Sequence, residues 1–158
     1  MSEAAEIIFR EATATDVPDL LRMMKRLAFQ EPALPFDERM VTQTWRQFFS
    51  SAEFGRAWLF SVGDELAGYV ILTLGYSFEY LGREAFVDEL YVEEKFRGRG
   101  VGRRAMEFVE ERARELGVNA IHLEVDRGKD AALGLYRRTG YVDHERYLMT
   151  KWLRQSEL

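Results

Sequence analysis

A glycine- and arginine-rich segment in the middle of the chain carries the densest chemical signal of the sequence. It reads Arg97-Gly98-Arg99-Gly100-Val101-Gly102-Arg103 and lies where a predicted strand ends and a predicted helix begins. Glycines at such a junction let successive backbone N–H groups turn towards one point, and the helix N-terminus adds partial positive charge. The segment therefore predicts a binding site for a phosphate or a pyrophosphate. An ordinary glycine-rich connection with solvated arginines is the alternative.

The glycine spacing distinguishes this segment from two common nucleotide-binding motifs. A dinucleotide fingerprint GxGxxG would need glycine at Arg103, and the P-loop pattern GxxxxGK[ST] does not fit the segment. The pattern Arg97-x-x-Gly100-x-Gly102, preceded by Asp88-Glu89-Leu90-Tyr91-Val92, resembles the coenzyme A signature of the GNAT superfamily of N-acetyltransferases. Leu135-Tyr136-x-x-x-Gly140-Tyr141 resembles the second motif of that family. The resemblance extends from about Ile8 to Leu153.

This resemblance implies a binding site for acetyl-CoA as the acetyl donor. In the family, two central strands splay apart and leave backbone groups free to bind pantetheine, a role that falls here to Leu90, Tyr91 and Val92. The segment 97–103 would hold the pyrophosphate. Residues 129–132, including Lys129 and Ala132, would touch the coenzyme from the other side. Tyr136 corresponds to the proton donor to the departing sulfur, and a core tyrosine on a short helix is the alternative.

Two carboxylates interrupt the otherwise apolar strand predicted over 85–92. Burying a carboxylate without a partner is costly, so at least one of Asp88 and Glu89 should meet water or a cation. Successive strand residues point to opposite faces, which predicts separate tasks for the two acids. By the resemblance, Asp88 is a water-mediated base or an amine anchor, whereas Glu89 could hold a structural bond. On the next predicted strand His122 and Glu124 share a face and are further substrate-binding candidates, with an ordinary strand histidine as the alternative.

A narrower resemblance concerns the diamine acetyltransferases, which include the spermidine/spermine and thialysine enzymes. It rests on Ile8-Phe9-Arg10-x-Ala12-Thr13-x-x-Asp16 and on Tyr76-Ser77 followed by Gly82-Arg83, Phe86 and Asp88-Glu89. Glu31 matches an acidic residue that binds the amine in that branch. The family resemblance also implies a homodimer.

Composition excludes several other kinds of site. The sequence has no cysteine and two histidines, which excludes disulfides, thiolate zinc sites and a cysteine nucleophile, and no metal site is expected. Net charge is −5, which disfavours nucleic-acid binding. Residues 1–94 carry 17 acids and 8 bases, whereas 95–158 carry 10 acids and 14 bases, so the first part could bind a cation and the second an anion. With no apolar run near about 20 residues and an acidic start, we expect no membrane partner and a cytoplasmic location.

Hydrophobic periodicity predicts one α/β domain over 1–158. Apolar residues at intervals of three and four predict four helices, and alternating or apolar runs predict the strands. The first predicted helix starts at Thr15 or Asp16, and the other three cover 40–50, 100–116 and 131–138. The predicted strands cover 7–10, 57–62, 66–76, 85–92, 120–125 and 147–153. Helices would cover a mixed, mostly antiparallel sheet. With the resemblance, this is a GNAT fold of six to seven strands with splayed central strands.

The function implied by the resemblance is direct transfer of acetyl to a primary amine, without a covalent enzyme intermediate. A small cationic amine is the favoured acceptor, either a polyamine, a diamine or an amino-acid-like amine. The alternatives are a protein N-terminal or lysine acetyltransferase, and a regulatory module that binds coenzyme A without catalysis.

Overall fold

The structure of the protein is a computed structural model that describes residues 6–30 and 36–153. The chain divides into two compact units, Met1–Leu123 and Glu124–Leu158, and each is described by itself. The first unit holds a sheet and three helices, and the second holds one helix. One domain over the whole chain stays a prediction.

A five-stranded sheet forms the centre of the first unit. Its strands follow the chain order, with β1 at Ile7–Glu11, β2 at Gly55–Val62, β3 at Glu65–Ser77, β4 at Gly82–Val92 and β5 at Ala120–His122. The first three pairings are antiparallel, and β4 pairs with β5 in parallel. The predicted mixed, mostly antiparallel sheet is therefore confirmed.

Helices cover both faces of this sheet. Helix α1 (Val17–Gln30) and helix α2 (Glu38–Phe48) lie on one face, where Leu20 and Trp45 belong to the same buried cluster as Tyr69. Helix α3 (Val101–Glu115) covers the other face, and its Phe108 ring stacks on Phe9 of β1 at 4.2 Å between centroids. This layered arrangement buries the apolar stripe of each helix and both faces of the strands.

The start of α1 is fixed by a buried carboxylate. Asp16 ends a short 3-10 turn and is 8% exposed. Its oxygens accept hydrogen bonds from both terminal nitrogens of Arg10 at 2.8 and 2.9 Å and from the Thr13 backbone N–H at 2.8 Å. The hydrogen bond from Arg10 is the main cause that lowers the pKa of Asp16 to about 2. Asp16 thus joins β1 to the entry of α1, in a capping box with Thr13.

Two predicted strand segments differ from the structure. The closing strand over 147–153 was wrong, because these residues have no regular secondary structure and their large apolar side chains are 72–89% exposed: Tyr147, Leu148, Met149, Trp152 and Leu153. Strand β5 ends at His122 rather than at Val125, so Glu124 does not continue it. An apolar pattern favours a strand, but the strand forms only where a second backbone offers hydrogen bonds.

Helix α4 at Asp130–Arg138 is the regular element of the second unit. It agrees with the predicted helix over 131–138. Thr139 ends it, and its backbone N–H and hydroxyl both bond to carbonyls of the last turn. The four predicted helices are therefore all present.

Candidate active site

A β-bulge in β4 lies at the acidic pair. Across the β3–β4 pairing Glu89 lies opposite Ile71, and Val87 lies opposite Leu72, so Asp88 is an extra residue without a cross-strand partner. The Asp88 side chain is exposed, but neighbouring protein atoms remove part of its hydration and raise the pKa of its carboxyl. A carboxyl with a raised pKa is a better general base near neutral pH than an ordinary aspartate.

Glu89 faces the interior under α1 rather than the solvent. It shares a face with its cross-strand neighbour Ile71 and with Tyr69, both members of the cluster that packs on α1. The Tyr69 hydroxyl donates a hydrogen bond of 3.5 Å to Glu89 Oε1. Burial is the main cause that raises the pKa of Tyr69, and the charge of Glu89 adds to it. Glu89 and Asp88 therefore have different surroundings.

The second half of β4 has an open edge. Strand β5 pairs only with Glu84–Phe86, and in the described chain no strand pairs with 87–92 on that side. The Glu93 N–H bonds to Ala67 of β3, so by alternation the backbone groups of Leu90 and Val92 point away from β3. This divergence of β4 and β5 is the splay that the family resemblance implies.

A glycine turn follows the open edge and leads into α3. Gly98 and Gly100 have φ of 71° and 78°, the left-handed region that favours glycine. A Cβ added at either position would meet nothing within 4 Å, so the turn is open to a ligand. The N–H groups of 98–100 find no backbone acceptor in the described chain, and those of 101–103 belong to the first turn of α3. These features fit an anionic group such as a pyrophosphate.

The basic side chains around this turn differ in their partners. Arg97 donates from Nε to the Val92 carbonyl at 2.8 Å and from its guanidinium to Gln30 Oε1 at 2.9 Å. Arg103 pairs with Glu107 on α3 at 3.2 Å. Arg99 has no ion pair within the described residues, so its charge is available to a ligand. Arg97 therefore ties α1 to the end of β4 in addition to any contact with a ligand.

His122 lies in a cluster that the sequence analysis did not recognise. Its Nε2 is 3.1 Å from Glu84 Oε2, and its ring lies 4.7 Å from Tyr80 and 5.1 Å from Phe86 between centroids. Glu84 and Phe86 were given no role in the site, because they stand in an ordinary strand pattern. The available signal was the alternation of side chains along β4, which places residues 84 and 86 on one face of the strand that also carries the acidic pair.

Several predicted site residues lie in the second unit or outside the described residues. Tyr136 is half-buried on α4, its ring meets Tyr141 edge-on at 5.6 Å, and burial raises the pKa of its hydroxyl. Lys129 pairs with Asp126 at 3.3 Å, and Ala132 is on the first turns of α4. Glu31 lies outside the described residues. A tyrosine that stays protonated at neutral pH is suited to donate a proton.

Comparison with known proteins agrees with this geometry. The model of the acetyltransferase (GNAT) family matches residues 20–141. The chain belongs to the GNAT acetyltransferase family. The match confirms the resemblance seen in the sequence, and members of this family are N-acetyltransferases that depend on acetyl-CoA.

Individual relatives of this GNAT chain are distant. It is 28% identical to the thialysine N-epsilon-acetyltransferase of Bos taurus, over 88% of this chain and 86% of the relative. It is 39% identical over 60 residues to the uncharacterized N-acetyltransferase YdgE of Bacillus subtilis, and this match spans 38% of either protein. The crystal structure of the integron cassette protein HFX_CASS3, from the mobile metagenome of Cole Harbour Salt Marsh, superposes with a TM-score of 0.80 at 33% identity, covering 92% and 90% of the two chains.

The described residues contain neither a metal-binding cluster nor a membrane-spanning helix. Within residues 6–30 and 36–153, no group of three His, Cys, Asp or Glu side chains is arranged to hold a metal ion. None of the helices in the described part of the chain is long and apolar enough to cross a membrane.

Proposed function

We propose that this GNAT chain transfers acetyl from acetyl-CoA directly to a primary amine of a small cationic molecule. The observation that carries the proposal is the open edge of β4, which leads through a short 3-10 turn at Glu94–Phe96 into the glycine turn and the N-terminus of α3. The edge offers the backbone groups of Leu90 and the N–H of Val92, whose carbonyl already accepts from Arg97, and the turn offers N–H groups to an anion. An elongated ligand with an amide-bearing arm and a pyrophosphate suits both.

Within this proposal, the coenzyme site consists of the residues named from the sequence. Bound acetyl-CoA supplies the acetyl group as a reactive thioester. Leu90, Tyr91 and Val92 orient the arm, and the turn at 97–103 neutralises the pyrophosphate. For Lys129 and Ala132, contact with the coenzyme rests on the family resemblance alone. Arg99 has a free charge within the described chain and is the basic side chain best suited to the phosphates.

The proton transfers fall to residues with matching electrostatics. An ordinary ammonium has a pKa of about 10 and must lose a proton before it attacks, while a leaving thiolate with a pKa of about 8.5 must gain one. Asp88 at the bulge would accept the amine proton, directly or through water, because its pKa is raised. Tyr136 would donate to sulfur, because its raised pKa keeps the hydroxyl protonated. Glu89, bonded to Tyr69, would support the bulge.

The charge distribution and a relative both favour a cationic acceptor. Acidic side chains prevail in the part of the chain that carries β4, with 17 acids against 8 bases over 1–94. A relative that matches most of this chain is named for thialysine, an amine-bearing substrate. A cationic acceptor held by Asp88 and His122 is consistent with both, whereas the candidates Glu124 and Glu31 rest on the sequence alone. The homodimer stays a prediction, which sedimentation would check.

A thiol-release assay tests the proposal. The protein has no cysteine, so every thiol detected comes from released coenzyme A. Purified protein with acetyl-CoA is assayed against polyamines, diamines, amino acids, peptides with free N-termini and neutral monoamines. We expect turnover with small cationic amines. Turnover only with peptides would instead indicate a protein acetyltransferase, and coenzyme binding without turnover on any amine would indicate a regulatory module.

A further inference from the structure

The cluster around His122 lies on the face of the sheet that carries α1. Cross-strand register puts Glu84 opposite Gly75 and Phe86 opposite Thr73, on the same face as Ile71 and the core under α1. His122 pairs with Phe86 across β4 and β5. The side chains of Glu84 and His122 are 23% and 16% exposed, so both are accessible but poorly hydrated.

One oxygen of the Glu84 carboxylate remains available to a ligand. Oε2 lies 3.1 Å from His122 Nε2, whereas Oε1 receives no hydrogen bond within the described chain. A Cβ added at Gly75 would lie 3.3 Å from Oε1 and 3.4 Å from Cγ of Glu84. Because Gly75 has no side chain, the Glu84 carboxylate can lie over it. A side chain there would force this carboxylate to shift by a few tenths of an ångström.

The surroundings of this oxygen are those of a cation site. A partly buried carboxylate attracts ammonium more strongly than one in water. The rings of Tyr80 and Phe86 lie 4.7 and 5.1 Å from the His122 ring between centroids, and aromatic faces attract cations. Phe86 is 37% exposed, so part of its ring can meet a ligand.

We propose that Glu84, with Tyr80 and Phe86, binds the second ammonium group of the acceptor and so selects polyamines with widely spaced amines. This rests on the proposed function, in which the reacting amine lies near Asp88. Glu84 is four residues before Asp88, which is about 13 Å along a strand at about 3.3 Å per residue. A long polyamine can span that distance between the two carboxylates, whereas a short diamine leaves one of them unpaired.

A series of amines of increasing length tests this site. Values of kcat/KM are measured for α,ω-diamines, for longer polyamines and for monoamines of matched length, with wild type, Glu84→Gln and Phe86→Leu. Glutamine keeps the shape and an acceptor for His122 but removes the charge. We expect kcat/KM of Glu84→Gln for long polyamines to fall about 10- to 100-fold, as for a lost charge-assisted hydrogen bond, mainly through KM. Values for monoamines and the KM for acetyl-CoA should change less than about twofold.

Glu53→Gln is the matched control, because Glu53 forms a surface ion pair at 3.1 Å with Arg83, the residue next to Glu84 in β4. It should leave the length series unchanged. Equal losses of kcat/KM for monoamines and polyamines in Glu84→Gln, or no loss at all, would overturn the inference while the proposed function stands. A wild type that acetylates no amine would overturn both.

Discussion

Replacing Asp16 by asparagine tests the ion pair that joins β1 to the start of α1. The carboxylate is nearly buried, and Arg10 and the Thr13 N–H hold its charge. A fall in pKa from the ordinary 3.8 to about 2 corresponds to roughly 2 kcal/mol of folding free energy at about 1.36 kcal/mol per pKa unit. Because the Arg10 side chain is 59% exposed, solvent screening reduces this, and we expect Asp16→Asn to cost about 1–2 kcal/mol at neutral pH.

The pH dependence of this loss distinguishes the ion pair from a packing effect. The folded pKa is lower than the unfolded one, so the unfolded chain binds more protons between about pH 2 and 4. The stabilisation is therefore complete above about pH 4 and is lost as the pH falls towards 2. Urea unfolding of wild type and variant from pH 7 to 2 measures the difference. A difference independent of pH would refute the reasoning.

Asp19→Asn is the control for this experiment. Asp19 pairs with Arg22 at 2.8 Å on the surface of the same helix, with both side chains about half exposed. An exposed pair of this kind contributes about 0–1 kcal/mol, so its loss should be small at every pH. An equal loss in the control would show that Asp16 has no special role.

Four further predictions concern the active site. Gly102→Asp should abolish binding of coenzyme A in calorimetry, because the new carboxylate repels the phosphates. The protein should stay folded, because a Cβ at position 102 meets only Val92, at an ordinary 3.7 Å. Unchanged affinity for coenzyme A would contradict the site. Tyr136→Phe should lower turnover about 100-fold and keep coenzyme affinity, and near-normal turnover would remove it from the mechanism. Asp88→Asn should lower kcat/KM at neutral pH, with partial recovery at higher pH, where more of the amine is neutral. Glu89→Gln should mainly lower the melting temperature. The reverse pattern would transfer the role of general base to Glu89. The preference for diamines over neutral monoamines should narrow as salt rises, and a salt-independent preference would contradict an acidic acceptor site.

Local sequence signals account for most of the fold. Two apolar runs predicted strands over 57–62 and 66–76, which pair as the β2–β3 hairpin, and Gly63 in the turn between them has φ of 60°. Apolar residues at intervals of three and four predicted a helix over 100–116, which the structure has as α3. Gly117 just after this helix has φ of 73°, a conformation that is common where helices end. Such features depend on residues close in the chain, so one sequence suffices to predict them.

Features that depend on distant backbone were not predictable in this way. The position of the bulge at Asp88 is set by how β4 registers against β3, since two pairings on either side of one residue must both be satisfied. The contact between His122 and Glu84 joins residues 38 apart, and neither side chain is unusual in its own segment. The arginine of the glycine motif also has a partner, Gln30, that spacing alone does not indicate.

The open edge of β4 also bears on how such a protein can change over generations. Its hydrogen-bonding groups belong to the backbone, and every amino acid except proline supplies them. In a saturation library scored for growth that depends on acetyl transfer, Leu90 and Val92 should accept many apolar replacements and reject proline. The groups that choose the amine are side chains, each encoded by a single codon. A lineage can therefore acquire new amines by point mutation while its donor chemistry persists.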